Sequence, residues 1–159
     1  MDIKKTANSF ANFTIKRIAE IFGITVFCAG VLLLLALITY SPEDPNFIFP
    51  ENTKIENILG FQGSFVSDIF FQSIGLASYF FSFTLIVTGI NIIKNKEFFL
   101  IIENIFFAII YCIFGTLFFT HFYSEAFTLY INGNGGFIGA YLNQTFLNSI
   151  ILINEVIFY

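Results

Sequence analysis

The sequence predicts an all-α integral membrane protein: three full transmembrane helices and a truncated fourth, arranged as two parallel helix hairpins. Three observations carry that prediction. Of the 159 residues 57% are hydrophobic and only 11% charged, with a mean hydropathy of +0.82. A soluble domain carries about 25% charged residues on its solvated surface, so lipid is the natural solvent here. Apolar runs of bilayer-spanning length recur along the chain. A fifteen-residue phrase, "GFQGSFVSDIFFQSI", returns later as "GFIGAYLNQTFLNSI".

The elements follow in order. Residues 1–20 form a basic N-terminal segment, expected on the cytoplasmic side, and 21–159 the membrane domain. The stretch Ile21 to Tyr40 has no charge and the length a hydrocarbon core demands. It is longer than the apolar core of a signal peptide, and no A-x-A site follows it, so it reads as an uncleaved helix. A second span is expected over about 69–93 and a third over about 98–120, the third interrupted only by Glu103 and Asn104. A fourth apolar run begins at Phe146 and is too short to cross by Tyr159.

Lys4, Lys5, Lys16 and Arg17 precede the first span, and Lys94 and Lys96 lie between the second and third. Only Lys54 falls in the 41–68 segment, and neither Lys nor Arg follows Lys96. By the positive-inside rule the N-terminus and the 94–97 turn are cytoplasmic, and the segments 41–68 and 121–145 face outward. The net charge of −4 and the scarcity of basic residues exclude a nucleic-acid footprint. Cys28 and Cys112 lie within apolar runs and read as packing residues rather than a disulfide. No cofactor is implied, and no His, Cys and carboxylate set has metal-ligand spacing; His121 stands alone after the third span.

The first outward segment opens with "TYSPEDPNF", where Pro42 and Pro45 end the helix and Ser41 and Asp44 serve as turn acceptors. From Ile55, apolar residues at 55, 58, 59, 65, 66 and 69 form a helical stripe, expected to lie at the interface and feed the second span. At an offset of 76 the two phrases align: Gly60 with Gly136, Phe61 with Phe137, Gly63 with Gly139, Phe70 with Phe146, Ser73 with Ser149 and Ile74 with Ile150. The unit is therefore an outward helix, an outer segment with a G-F-x-G turn, and an inward helix, repeated in the same orientation. Copied onto the second unit, the fourth helix is expected to run about ten residues beyond Tyr159, so the chain reads as a fragment or a truncated gene product.

In their order and placement, three motifs resemble the N-terminal four-helix membrane domain of the FtsK/SpoIIIE family of DNA translocases. Ser41, Pro42, Asp44 and Pro45 match its S-P-x-D-P turn. Asn57, Gly60, Gly63 and Asp68 match the segment leading into helix two, and Gly135, Gly136, Ile138 and Gly139 the G-G-x-I-G that follows helix three. The resemblance implies a bacterial inner-membrane anchor at the division septum that forms homo-oligomers, meets other septal membrane proteins, and serves cell division and chromosome partition. In such proteins a cytoplasmic ATPase pumps the DNA. This chain has no G-x-x-x-x-G-K-[ST] loop, so it is expected to be neither an enzyme nor in direct contact with nucleic acid.

Small residues mark the expected packing faces: Gly75, Ser78, Ser82 and Gly89 in the second span, and Asn104, Ala108, Cys112 and Gly115 in the third. Glu103, near the cytoplasmic end of the third span, is expected to snorkel or to pair with Lys94 or Lys96. A small channel or transporter subunit is the alternative reading. It asks for polar groups at mid-membrane depth, and Asn91 is the main further one available.

Overall fold

The computed structural model describes residues 3–45, 54–124 and 131–147, and among them every regular element is helical. Helix α1 runs Ile3–Ile38, α2 Gly60–Ile74, α3 Ser78–Asn95, α4 Leu100–Phe122 and α5 Gly136–Leu142. Three helical stretches are long and apolar enough to cross a membrane: 8–38, 60–95 and 100–122.

The middle stretch is not one rod. The span expected over 69–93 breaks at Gly75, whose φ of +57° a side chain would resist, and a 3₁₀ turn over Gly75–Ala77 separates α2 from α3. The 18 residues of α3 rise about 27 Å, close to the thickness of a hydrocarbon core. Helix α2 is therefore surplus to the crossing, and it packs across α1 and α5 at one end of the bundle, hereafter the Asp44 end.

Helix α2 also inverts the expected amphipathic pattern. Its apolar stripe faces out, with Ile58, Phe61, Val66 and Ile69 exposed, whereas Gly63, Ser64, Ser67, Asp68 and Phe71 are buried. In an aqueous protein this would be inside out. In lipid the apolar face needs no protein cover, and the polar face must find internal partners. Phe71 is the helix's one fully buried large apolar side chain, set against Leu33 and Leu37 of α1 and the rings of Tyr40 and Tyr79, with Phe70 partly buried beside Phe81.

Helices α1 and α3 run antiparallel in close contact. A Cβ on Gly89 would come within 2.5 Å of Phe27 N and 2.7 Å of Gly23 O, and one on Gly30 within 2.7 Å of Ile86 N. Glycines allow this approach, and dispersion between close backbones holds helices together where the hydrophobic effect is absent. The buried face of α1 is Ala19, Gly23, Val26, Gly30, Leu33 and Leu37, one stripe of a helix. At the opposite end Glu20 Oε1 pairs with Lys96 Nζ at 2.7 Å and Oε2 with Arg17 Nη1 at 2.5 Å. Lys96 is thus engaged by Glu20, not by Glu103, which is exposed. Lys96 caps α3 in the left-handed region at φ +61° and gives its N–H to Ile92 O. Both cysteines are free. The expected fourth helix over 146–159 lies almost wholly outside the described residues.

Candidate functional site

The motif residues of the 41–68 segment converge on one joint at the Asp44 end. Helix α1 finishes at Ile38 with its last carbonyls lacking helical partners. Asn57 reaches back to them: Nδ2 donates to Ala36 O at 2.9 Å and to Thr39 O at 3.2 Å. Its Oδ1 accepts from Leu59 N at 3.0 Å, so every polar atom of this buried amide is used. Asp44 holds the incoming strand of chain. Its carboxylate, 1% exposed, accepts from Glu56 N at 2.7 Å and Asn57 N at 2.9 Å. Its own N–H donates to Ser41 O at 3.2 Å, closing the turn at Pro42.

The rest of the motif locks α2 onto this joint. Gly60 opens the helix at φ +66°, with its N–H on Asn57 O. A Cβ on Gly63 would overlap Asn57 Oδ1, so only glycine lets the helix sit on that amide. Ser64 Oγ donates to Pro45 O at 3.2 Å. Asp68 Oδ1 accepts from Tyr40 Oη at 3.1 Å.

The second outer segment rebuilds the joint with different means. Gly136 opens α5 at φ +64°, within a few degrees of Gly60 at the repeat-equivalent position. Asn134, buried, donates through Nδ2 to Tyr123 O at the C-terminus of α4, the role Asn57 plays for α1. The two asparagines are out of phase by one residue in the 76-residue offset. For that reason Asn134 is not conspicuous in the sequence. A Cβ on Gly135 or Gly139 would overlap Thr120 Oγ1, so these glycines press α5 onto α4. Ile138 lines an apolar recess with Phe70, Ile74, Cys112 and Ile113.

The two joints also interlock. Leu76 N donates to Asn134 O at 2.8 Å across the break between α2 and α3. A Cβ on Gly136 would lie 2.6 Å from Gly75 N, and one on Gly75 would overlap the Asn134 carbonyl. Asn132 Nδ2 donates to Gln72 O at 3.2 Å. Thus Gly75 serves the joint and Gly89 serves α1, not α4. The α4 face meets α3 through other pairs. Asn104 Nδ2 donates to Thr88 Oγ1 at 3.0 Å, Cys112 Sγ lies 3.6 Å from Ala77 O, and Gly115 approaches the Phe80 ring. Ala108 is fully buried on the same side, and Ser78 and Ser82 bond back to Gly75 O and Tyr79 O. Beside this seam an open groove of about 550 Å³ runs between α3 and α4, with Asn91, Thr84 and Tyr111 on its walls.

Chemically the joints position helices through hydrogen bonds and close backbone contacts. No group of three or more His, Cys, Asp or Glu side chains able to hold a metal occurs among the described residues. The buried carboxylates accept from backbone N–H or side-chain donors that also set chain geometry.

Comparison with known proteins agrees with this geometry. Residues 15–156 match the family model described as the 4TM region of DNA translocase FtsK/SpoIIIE. Among curated relatives, DNA translocase FtsK of Caulobacter vibrioides is 36% identical over 79 residues, covering 50% of this chain and 10% of that protein. DNA translocase FtsK of Rhizobium meliloti is 32% identical over 78 residues, 49% of this chain and 9% of that one. That of Azospirillum brasilense is 28% identical over 87 residues, 54% and 14% respectively. The chain thus aligns with only about a tenth of the length of these relatives, and no solved structure matches it. With the family model spanning most of its length and the motif residues meeting in two matched joints, the chain belongs to the family of FtsK/SpoIIIE 4TM membrane regions.

Proposed function

We propose that this chain anchors and assembles an FtsK-like DNA translocase in the bacterial inner membrane, acting at the septum in cell division and chromosome segregation. The observation that carries the reading is the convergence of the three family motifs on one interlocked structure. Side chains so placed make a rigid cap across one end of the bundle, which suits a scaffold that other proteins must find in one shape. The names of the relatives support the link to DNA translocation, and the match to a membrane region supports a role without catalysis in this chain.

In this reading the N-terminus is cytoplasmic. Six of the seven Lys and Arg residues fall in 1–20 or in the 94–97 turn, the distribution that the positive-inside rule assigns to that side. The chain forms homo-oligomers and meets septal membrane proteins. DNA contact is left to parts of the translocase outside this sequence.

A fluorescent fusion to the chain tests the reading, with thiol accessibility in a Lys54→Cys variant reporting topology. Midcell enrichment and labelling of the introduced thiol from outside the cytoplasm are the expected results. Even distribution around dividing cells overturns the septal role, and labelling from the cytoplasm overturns the orientation.

A further inference from the structure

We propose that residues 13–18 of α1, together with Lys94 and Lys96, form a docking surface for the headgroups of anionic phospholipids. The argument begins with length. Helix α1 has 36 residues and rises about 54 Å, whereas its partner α3 has 18 and rises about 27 Å. The first residue of α1 buried by the bundle is Ala19, and all of 8–18 is exposed. The pairing of Gly23 with Ile93, and the bond from Tyr79 Oη to Leu37 O, fix which part of α1 lies beside α3. Residues 8–18 therefore continue past the end of the hydrocarbon layer. A headgroup layer of about 5–7 Å takes up roughly four residues, here 15–18, and the Phe13 ring under the Arg17 guanidinium lies at its outer edge.

What this extension presents is not what water favours. Phe10 is 73% exposed, and Phe13, Ile15 and Ile18 are each more than half exposed. An isolated helix of this length is marginal in water even without such side chains. Cations stand at the same level. The Arg17 guanidinium lies 5.0 Å over the Phe13 ring and also binds Glu20, and Lys96 reaches Glu20 from the other side. Lys16 and Lys94 are exposed beside them. Glu20 and Glu97 offset two of these four cations, and the cluster keeps a positive surplus.

Aromatic and aliphatic side chains interleaved with Lys and Arg at headgroup depth are complementary to one surface: a leaflet carrying phosphate charge. Lys16, Arg17 and Lys94 supply the donors, and Phe13, Ile15 and Ile18 supply the apolar contact. Glu20, held from both sides, fixes the separation between the α1 and α3 cations.

The test uses the whole chain in nanodiscs of phosphatidylcholine alone or mixed with phosphatidylglycerol. An environment-sensitive probe at Phe13→Cys, in a Cys28→Ala, Cys112→Ala background, reports contact with the leaflet. The expected result is a probe shift with phosphatidylglycerol that high salt reverses, and a preference for that lipid that falls roughly fivefold per neutralised cation. The variant K16Q/R17Q/K94Q is expected to lose the preference, and Lys54→Gln to keep it. Equal signals in the two lipids, or a preference that the triple variant retains, overturn the proposal. The lipid and salt comparison on the wild-type cations decides the matter even if the variant misfolds. Septal localisation is not read, so failure here leaves the proposed function standing.

Discussion

The Asn57 joint and the Asn134 joint perform one task by different physics. Both start a helix on a left-handed glycine, and both turn a buried asparagine amide onto the carbonyl end of the preceding helix. The first joint is built from hydrogen bonds, with the Asp44 carboxylate gripping two backbone N–H groups and Asn57 satisfied at both ends. The second has no carboxylate among its described residues, and Asn134 Oδ1 finds no partner among them. It leans more on steric fit, glycine against threonine and glycine against glycine, beside the bonds of Leu76 N to Asn134 O and Asn132 to Gln72 O. The repeat thus keeps the left-handed glycine that opens each helix, while the forces supporting it differ.

Paired substitutions break this comparison open, beginning with the largest effect. Gly136→Ala meets the same unfavourable φ as Gly60→Ala, and it also collides with the backbone at Gly75, whereas nothing lies within 4 Å of a Cβ at Gly60. A left-handed alanine costs about 1–2 kcal/mol. Gly60→Ala should therefore lose about that much in detergent unfolding, and Gly136→Ala at least twice as much. Equal losses would mean that the interlock carries no strain.

Next is Asp44→Ala, which strands the buried Asn57 N–H and the part-buried Glu56 N–H, a buried donor costing about 1–3 kcal/mol. A loss of about 2–4 kcal/mol is expected, with Asp44→Asn between that and wild type, read by the same unfolding assay. Asn57→Ala should follow at about 2–3 kcal/mol, since three hydrogen bonds go. Asn134→Ala should cost about 1 kcal/mol or less, because the amide donor is lost together with an unpaired oxygen. If the two asparagines proved equal, the second joint would rest on hydrogen bonds after all.

The smallest effect lies at the opposite end of the bundle. Lys96→Gly relieves the φ of +61° and removes the partly exposed pair with Glu20. A left-handed lysine costs about 1 kcal/mol and an exposed pair contributes up to about 1 kcal/mol, so stability should change by less than about 1 kcal/mol.

Much of this architecture is legible in the chain because lipid imposes simple demands. Span lengths follow from bilayer thickness, so the apolar runs at 21–40 and 98–120 overlap α1 and α4, although α1 starts as early as Ile3. The recurring G-F-x-G marks two equivalent sites because a left-handed residue selects glycine wherever it occurs. The phrase differs from the expected turn in scale: its glycine is the first residue of a helix, not the corner of a hairpin. Gly23 and Gly30 are ordinary small residues in a span until a second helix meets them, and Gly89 serves α1 because α3 turns that face toward it.

Composition, run length and motif residues are enough to make the protein helical, membrane-spanning and a carrier of this family's motifs. Composition, run length and glycine spacing are one-dimensional quantities, and bilayer thickness and backbone sterics convert them directly into structure. Only the tertiary structure decided that the second span breaks at Gly75 and that α2 turns its serines and Asp68 inward. It also decided that Asn134 stands in for Asn57 despite a shift of one residue, and that Lys96 answers Glu20. Those outcomes depend on which groups meet in space, from Asn134 and Tyr123, 11 residues apart, to Glu20 in α1 and Lys96 at the end of α3, and no local pattern records such a meeting.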